Sequence, residues 1–287
     1  QSNNSLNVLH ISTLDLQGGA ARATYRLHRA LLTSNIGSKL LVQNKSGDDF
    51  TVMSETSPRK KILNKLRPTL DSIPVKFYKN REDSLFSPSF LPFSNVINII
   101  NDIKPDLVHL HWICHGMISI EELAKINVPI VWSLHDNWAF TGGCHIMWDC
   151  EKYKKSCGSC PRLGSNKEND LSRKIFNRKQ KAFSKIDRLT IVGLSRWLAG
   201  CAQNSTLLKN RKIINLPNPL ETEKFKPFDK VKAKELWGLP KNKKFALFGA
   251  NSATSDLNKG FSELCDALSK LKRTDVELVI FGSSEPQ

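Results

Sequence analysis

The chain has no run of about 18 consecutive apolar residues, the length a helix needs to cross a hydrocarbon core, so no segment reads as a membrane span. Its start, QSNNSLNVLHIST, lacks the basic stretch followed by an apolar one that marks a secretory signal. Gln1-Ser2-Asn3 reads as a protease-site scar rather than as part of a fold. Acidic residues are scarce: 27 Asp+Glu face 43 Lys+Arg, for a formal net charge of +16. That imbalance favours anionic partners, whether nucleic acid, an acidic membrane surface or a phosphorylated substrate. Seven cysteines cannot all pair, and without a secretion signal they are expected to be reduced in the cytoplasm.

What is present is ordinary globular material. The 287 residues are 40% hydrophobic and 24% charged, enough for two domains or one large one. Leu6–Ser12 reads as a strand leading through Leu16-Gln17-Gly18-Gly19 into a helix over Ala20–Ser34, where Ala23, Leu27, Ala30 and Leu31 recur at helical spacing. Strand, Gly-rich turn and helix present backbone N–H groups and a positive dipole end to an anion; a glycine pair also fits any tight turn. Arg22, in the first turn, opposes the dipole but stands where a phosphate would be met. Strands over Lys39–Gln43, Asp106–His111, Pro129–Leu134 and Leu189–Leu194 alternate with helices over Asn95–Ile103, Ile120–Ile126 and Leu171–Ile186, and Ser195 suits an N-cap. This alternation predicts an α/β fold, a doubly wound parallel sheet with its strand ends on one rim. A new strand over Phe245–Gly249, a helix over Gly260–Leu271 and a strand over Glu277–Phe281 restart the pattern. The expected organisation is an N-terminal domain over 4–218, a crossing over 219–240 and a second domain begun at 241–287. Two parallel strands and one helix bury too little to stand alone, so that second domain is expected to be incomplete.

The stretch from Val131 to Cys160, VWSLHDNWAFTGGCHIMWDCEKYKKSCGSC, concentrates chemistry. In parallel sheets ligands sit outside the carboxyl ends of the strands, so His135 and Asp136 fall where reactive groups are expected. The bland alternative is a His135 that caps the sheet through a backbone carbonyl. His109 and His111 share one face of their strand; at least one is expected to be buried, and His111, nearer the strand end, has the better claim on substrate. Cys144, Cys150, Cys157 and Cys160, spaced Cys-x5-Cys-x6-Cys-x2-Cys, suit a tetrahedral structural zinc. Lys152, Lys154 and Lys155 would offset the thiolate charge, and His145 offers a substitute ligand. Disulfides and free thiols stay open beside zinc. Pro58–Pro74 mixes Arg59, Lys60, Lys61, Lys65 and Arg67 with Ile62, Leu63 and Leu66, a basic amphipathic helix that either lies on anionic headgroups or turns its apolar side into the core. Phe86, Phe90 and Phe93 lie in a loop-rich stretch that either walls a site or packs onto the core.

The pieces HISTLDLQGGAARATYRLHRAL, PDLVHLHW, IVWSLHDNWAFTGGCH, CEKYKKSCGSCP, LSRWLAGCAQNS, LPNPLETEKFKP and LFGANSATSDLNKGF, in this order, resemble a family 4 glycosyltransferase of the GT-B fold. Within it they look most like the bacterial transferases of exopolysaccharide (colanic-acid-like) biosynthesis. The resemblance spans nearly the whole chain. It implies two facing Rossmann-like domains, the first holding the acceptor and the second the nucleotide-sugar. It further implies transfer with retention, no metal for catalysis, and a leaving diphosphate that helps deprotonate the acceptor hydroxyl. On that pattern His135 orients the sugar and Asp136 accepts a hydroxyl hydrogen bond. Gly18 and Gly19 let the loop approach phosphate or acceptor, and Lys259 meets the diphosphate. Two departures stand out: Asn218-Pro219 where the family has Asn-Gly, and Gly249-Ala250 where a phosphate-binding Arg is usual. The family's acidic donor-binding motif is expected beyond Gln287.

The partners so implied are a UDP- or GDP-sugar donor, a lipid-linked saccharide acceptor and an anionic membrane touched peripherally at its inner face. Two rivals are a basic nucleic-acid-binding module with a zinc knuckle and a non-catalytic binding remnant. Against nucleic acid, the basic residues are spread over helices and linker without interleaved aromatics on which bases would stack.

Overall fold

Residues 6–282 are described by the computed structural model, so Gln1-Ser2-Asn3 lies outside the described residues. The elements follow in the order β1 (Asn7–Leu14), α1 (Gly19–Thr33), β2 (Gly37–Asn44), β3 (Val52–Met53), α2 (Pro58–Lys76), α3 (Val96–Ile103) and β4 (Leu107–Leu110). Then come α4 (Ile120–Leu123), β5 (Ile130–Leu134), α5 (Leu171–Phe183), β6 (Leu189–Gly193), α6 (Arg196–Asn204) and β7 (Lys212–Asn215). The chain divides between Leu220 and Glu221. The second unit holds α7 (Lys230–Leu236), β8 (Lys244–Gly249), α8 (Phe261–Ser269) and β9 (Val276–Phe281). Of the stretch read as a crossing, residues 221–240 group with the second unit and carry a helix of their own.

The first unit is built on a seven-stranded sheet in the order β3-β2-β1-β4-β5-β6-β7, every pair parallel. This is the doubly wound architecture the sequence pattern predicts. Strand order reverses between β1 and β4, and the crevice outside the carboxyl ends at such a switch point is where α/β sheets bind ligands. In the second unit β8 and β9 pair in parallel.

Leu9, Ile11, Val108, Leu110, Ile130, Trp132, Leu134 and Ile191 form the centre of the core, each no more than 2% exposed. Burial of such a side chain contributes about 1.5–3 kcal/mol. Sheets covered on both faces read as near-continuous apolar runs, and the middle of this one does not. His10 and Ser12 on β1, His109 on β4 and Ser133 on β5 are buried with the apolar residues. His10 and His109 are register partners, so the polar side chains meet on one face. Buried polar groups must find partners, and here they find one another.

Several helix starts follow from local chemistry. Ser119 and Glu122 form a reciprocal capping box at α4, Asp170 caps α5, and Ser195 accepts the Leu198 N–H at α6 as its sequence position suggests. Helix α2 runs opposite to the usual amphipathic logic. Its buried residues are Arg67, Asp71 and Val75, while Ile62, Leu63, Leu66, Leu70 and Ile73 are exposed. Arg67 donates to the carbonyls of Gly116, Leu91 and Pro92, and Asp71 accepts from the N–H groups of Ser89 and Phe90. The polar pair fastens the helix to the loop before α3 and leaves the apolar stripe outside. The apolar side therefore does not join the core.

Candidate functional site

Three strand ends converge on the rim. The turn Leu16-Gln17-Gly18-Gly19 follows β1, His111-Trp112 follows β4, and His135-Asp136 follows β5. Gly18 adopts φ +91, a backbone conformation that L side chains rarely take, and α1 starts immediately after it. A Cβ added at Gly18 or Gly19 would meet nothing within 4 Å, so the space before the helix is open. Arg22 donates from Nε to the Leu16 carbonyl at 3.2 Å and braces the turn. Asp15, which the sequence pattern did not single out, fixes the same turn from behind. Its carboxylate accepts from the N–H groups of Leu16, Ser46 and Gly47 and from the Ser46 hydroxyl. Burial pushes this carboxyl up, but the donors from Gly47, Ser46 and Leu16 outweigh burial and hold it low.

Behind the rim a file of imidazoles runs into the sheet. His10 Nδ1 lies 3.1 Å from His111 Nε2, and His111 Nδ1 lies 3.2 Å from His135 Nε2. His109 stacks on His111 with ring centroids 4.2 Å apart, and its Nε2 meets the Ser133 hydroxyl at 2.8 Å. His28 of α1 closes the far end through Ser38 and Thr51. Burial is the leading cause that lowers every ring in this group. His28, His109 and His135 fall to about 4; for His135 burial wins over the opposing pull of Asp136. His10 and His111 go well below the usual histidine range through burial, reinforced by repulsion from His109 and other rings. All are neutral at pH 7.

Neutrality makes the tautomers decisive. The file can point either way: from His10 towards His135, or back. His10 Nε2 is buried without a partner. An orphaned lone pair there costs less than an orphaned N–H, since buried unpaired donors are the rarer and dearer case. The file therefore runs outward: His10 Nδ1–H donates to His111, and His111 Nδ1–H donates to His135 Nε2. The remaining hydrogen of His135 sits on Nδ1, which has no hydrogen bond within the described chain. His111 is itself only 4% exposed, so it reaches a substrate through His135 and not directly.

Asp136 is half-buried and heavily committed. Its Oδ2 accepts from the Trp112 indole at 2.8 Å and lies 2.6 Å from His145 Nδ1, while Oδ1 accepts the Trp138 N–H at 2.8 Å. Burial raises the carboxyl, yet the His145 ring and these hydrogen bonds outweigh it and hold it below the usual range. One lone pair remains for an incoming hydroxyl; the rest of the group ties three segments together. His145 is spent in the same way, with Nε2 at 2.8 Å from the Ser87 hydroxyl. Both of its nitrogens are taken, so it does not substitute for a cysteine as a metal ligand.

Of the aromatic loop, Phe86 packs inside and bridges Cys144 in an antiparallel contact, while Phe90 and Phe93 are exposed. Cys144, Cys150, Cys157 and Cys160 line one cavity, all as free thiols rather than disulfides. Burial pushes Cys144 and Cys157 up to about 12 and Cys160 upward. Beside them Lys179 of α5 is fully buried, donating to the carbonyls of Trp138 and Thr141 with its ammonium 3.6 Å from the centre of the Trp138 ring. Burial draws it down to about 7. Among the described residues, the group of ligand atoms gathered within 4.8 Å of one another is His10, His109 and His111. Two of those nitrogens are already spent on each other, and His109 Nε2 is spent on the Ser133 hydroxyl.

Lys259 belongs to the second unit. It closes a 3-10 turn, Leu257–Lys259, that opens α8, and lies 3.8 Å from Asp256.

Residues 17–224 match the family model described as Glycosyltransferase Family 4. A putative colanic acid biosynthesis glycosyl transferase of Escherichia coli (strain K12), WcaC, is 23% identical over 56% of this chain and 40% of its own length. The solved structure of a glycosyltransferase from Rickettsia africae ESF-5 superposes with a TM-score of 0.52 at 14% identity, covering 96% of this chain and 60% of that one. At that identity the likeness concerns the fold alone. The chain thus spans 40% of the curated relative and 60% of the solved one.

Proposed function

The chain belongs to Glycosyltransferase Family 4, and on that premise we propose that it forms the acceptor side of a retaining transferase that moves a sugar from a UDP- or GDP-sugar to a lipid-linked saccharide in surface polysaccharide synthesis. The observation that carries the reading is the outward file of neutral histidines ending at His135 on the rim. A neutral ring with a fixed Nδ1–H is a donor to a sugar oxygen and not a general base. Its buried backing prevents the ring from flipping to the opposite tautomer. Asp136 orders the rim and retains one site for a hydroxyl hydrogen.

The leaving diphosphate gains negative charge in the transition state, and preorganised N–H donors and cations lower the energy of that charge. Gly18 and Gly19, with open space before α1, suit close approach of a phosphate or acceptor, and Arg22 supplies a nearby cation. Within the second unit, Lys259 is the candidate cation for the donor diphosphate. No metal is required for such a step, because the diphosphate itself takes the acceptor proton.

The acceptor's lipid gives α2 its purpose. Ile62, Leu66, Leu70 and Ile73 recur at steps of four and three on one exposed face, with Arg59, Lys60, Lys61 and Lys65 exposed on the same helix. An apolar stripe edged with cations matches an anionic lipid surface. Both assignments are tested on the protein that carries this sequence. Incubation with UDP- and GDP-sugars and a membrane lipid extract should yield a glycosylated lipid and free nucleoside diphosphate by mass spectrometry. Absence of product with every donor defeats the transferase reading.

A further inference from the structure

From Asp136 to Asp170 the chain forms no strand and no helical turn longer than three residues. Structureless loops beyond about 12–15 residues are uncommon in compact domains unless they are functional or otherwise held. This one is buried: Trp138, Phe140, Met147, Tyr153 and Leu163 all lie in the core. It also carries His145, which anchors Asp136 at the rim. Something other than secondary structure must fix it.

The four cysteines are distributed along this loop and come back to the walls of one cavity. The backbone around them is shaped for sulfur. The Gly142 N–H points at Cys157 Sγ from 3.1 Å, and the N–H groups of Arg162 and Leu163 are directed at Cys160. Gly158 takes φ +140 and Ser159 φ 42, which turns the chain tightly between Cys157 and Cys160. A Cβ at Gly142 would stand 2.7 Å from that of Cys157, so glycine is required for this approach. Charge supplies a second, independent observation. The buried ammonium of Lys179 adjoins Cys144 and Cys157, and the carboxylate that also acts on it, Asp136, is already committed to Trp112, His145 and Trp138. A buried cation whose counter-charge is shared with other partners is costly. Lys152, donating to the carbonyls of Gly158 and Ser159, adds a second positive group at the cavity wall.

We propose that Cys144, Cys150, Cys157 and Cys160 bind one structural zinc ion as four thiolates. Each thiol gives up its proton, four in all, and one zinc(II) forms four Zn–S bonds. No electron is transferred, and the product is a dianionic centre. Lys179 and Lys152 then face the thiolate charge at the cavity wall. No three of the sulfurs stand mutually within 4.8 Å, whereas Zn–S bonds of about 2.3 Å need sulfurs about 3.8 Å apart. Metal binding therefore draws the cavity walls together, and the ion replaces the missing secondary structure as the brace behind His145 and Asp136. The centre has no open coordination position and takes no part in transfer, so the proposal stands or falls separately from the transferase reading.

The test is metal analysis of the purified protein after growth with zinc and gel filtration in metal-free buffer. About one zinc per chain is expected, released into a colorimetric chelator in step with titration of the thiols by an organomercurial. Cys157→Ser with Cys160→Ser should lose the metal, and Cys265→Ser should keep it. If the double variant fails to fold, the organomercurial titration of the wild-type chain still decides. Zinc at background level, zinc retained after all thiols are blocked, the visible absorption of an iron–sulfur cluster, or a mass lowered by disulfide formation would each overturn the proposal.

Discussion

The histidine file makes a position-specific demand on the rim. If His135 donates through Nδ1–H, an asparagine amide at that position retains a donor near the same place, because its nitrogen stands where Nδ1 stood. Glutamine places its amide nearer Nε2, where it meets His111 instead of substrate. His135→Ala should still fold, since the ring is only half-buried and water can reach the one donor, the His111 Nδ1–H, that it leaves unpaired behind it. The size of its effect reports the oxygen it serves. A donor to a neutral hydroxyl contributes about 0.5–1.5 kcal/mol, a loss of about 2- to 13-fold. A donor to an oxygen that becomes charged in the transition state contributes about 2.7–4 kcal/mol, a loss of about 100- to 1,000-fold. The retaining mechanism we propose calls for the larger loss in kcat/KM in His135→Ala, partial recovery in His135→Asn and none in His135→Gln. Because burial holds His135 at about 4, its contribution to the rate should be flat from about pH 5.5 upward and fall only as the ring is charged below that. Unchanged turnover in His135→Ala, loss of the fold, or recovery by glutamine in place of asparagine refutes the tautomer assignment.

Acid should destabilise the first unit as the pH falls below the ordinary histidine range. Free histidine titrates near 6.5, whereas folded His28, His109 and His135 do so at about 4, so the unfolded chain binds more protons between those values. Stability is full above about pH 6.5 and is lost as pH falls through 4, with a slope of up to about 1.4 kcal/mol per pH unit per ring; a melting temperature flat between pH 7 and 4.5 would contradict the buried file. Arg67→Met strands the carbonyls it holds at Gly116, Leu91 and Pro92 and should cost about 3 kcal/mol in denaturant melts, while exposed Lys60→Met should cost almost nothing. Ile62→Asp with Leu66→Asp should abolish co-sedimentation with phosphatidylglycerol vesicles at unchanged melting temperature, and loss of the native melt would count against an unpartnered stripe.

Much of the fold was legible in the chain because it follows from local rules. The parallel strands announce themselves as β-branched and Leu-rich runs between helical periods, and Ser195 declares its cap by residue type alone. Gly18 could be placed at a turn before a helix for the same reason. The doubly wound parallel sheet and the family are what that pattern and its motif order predict, while the short edge strand β3 is not visible in them. The position of His135 on the rim follows from its place after a strand, a topological rule of parallel sheets.

Other features required the chain to be folded. His10 and His111 are separated by a hundred residues of sequence and meet only because β1 and β4 are neighbours across the switch point. The direction of the file, and so the hydrogen on His135, depends on an unfilled nitrogen of His10 deep in the sheet. Helix α2 reads as amphipathic in one dimension, but which side faces inward was decided by carbonyls at Gly116, Leu91 and Pro92 that only Arg67 could satisfy. The sequence by itself determined most of the elements, their parallel pairing and the rim on which the candidate site lies, since these depend on spacing. Tertiary structure alone decided which polar groups are sealed from water and which partner each finds, because burial and hydrogen bonding are properties of neighbours that spacing does not specify.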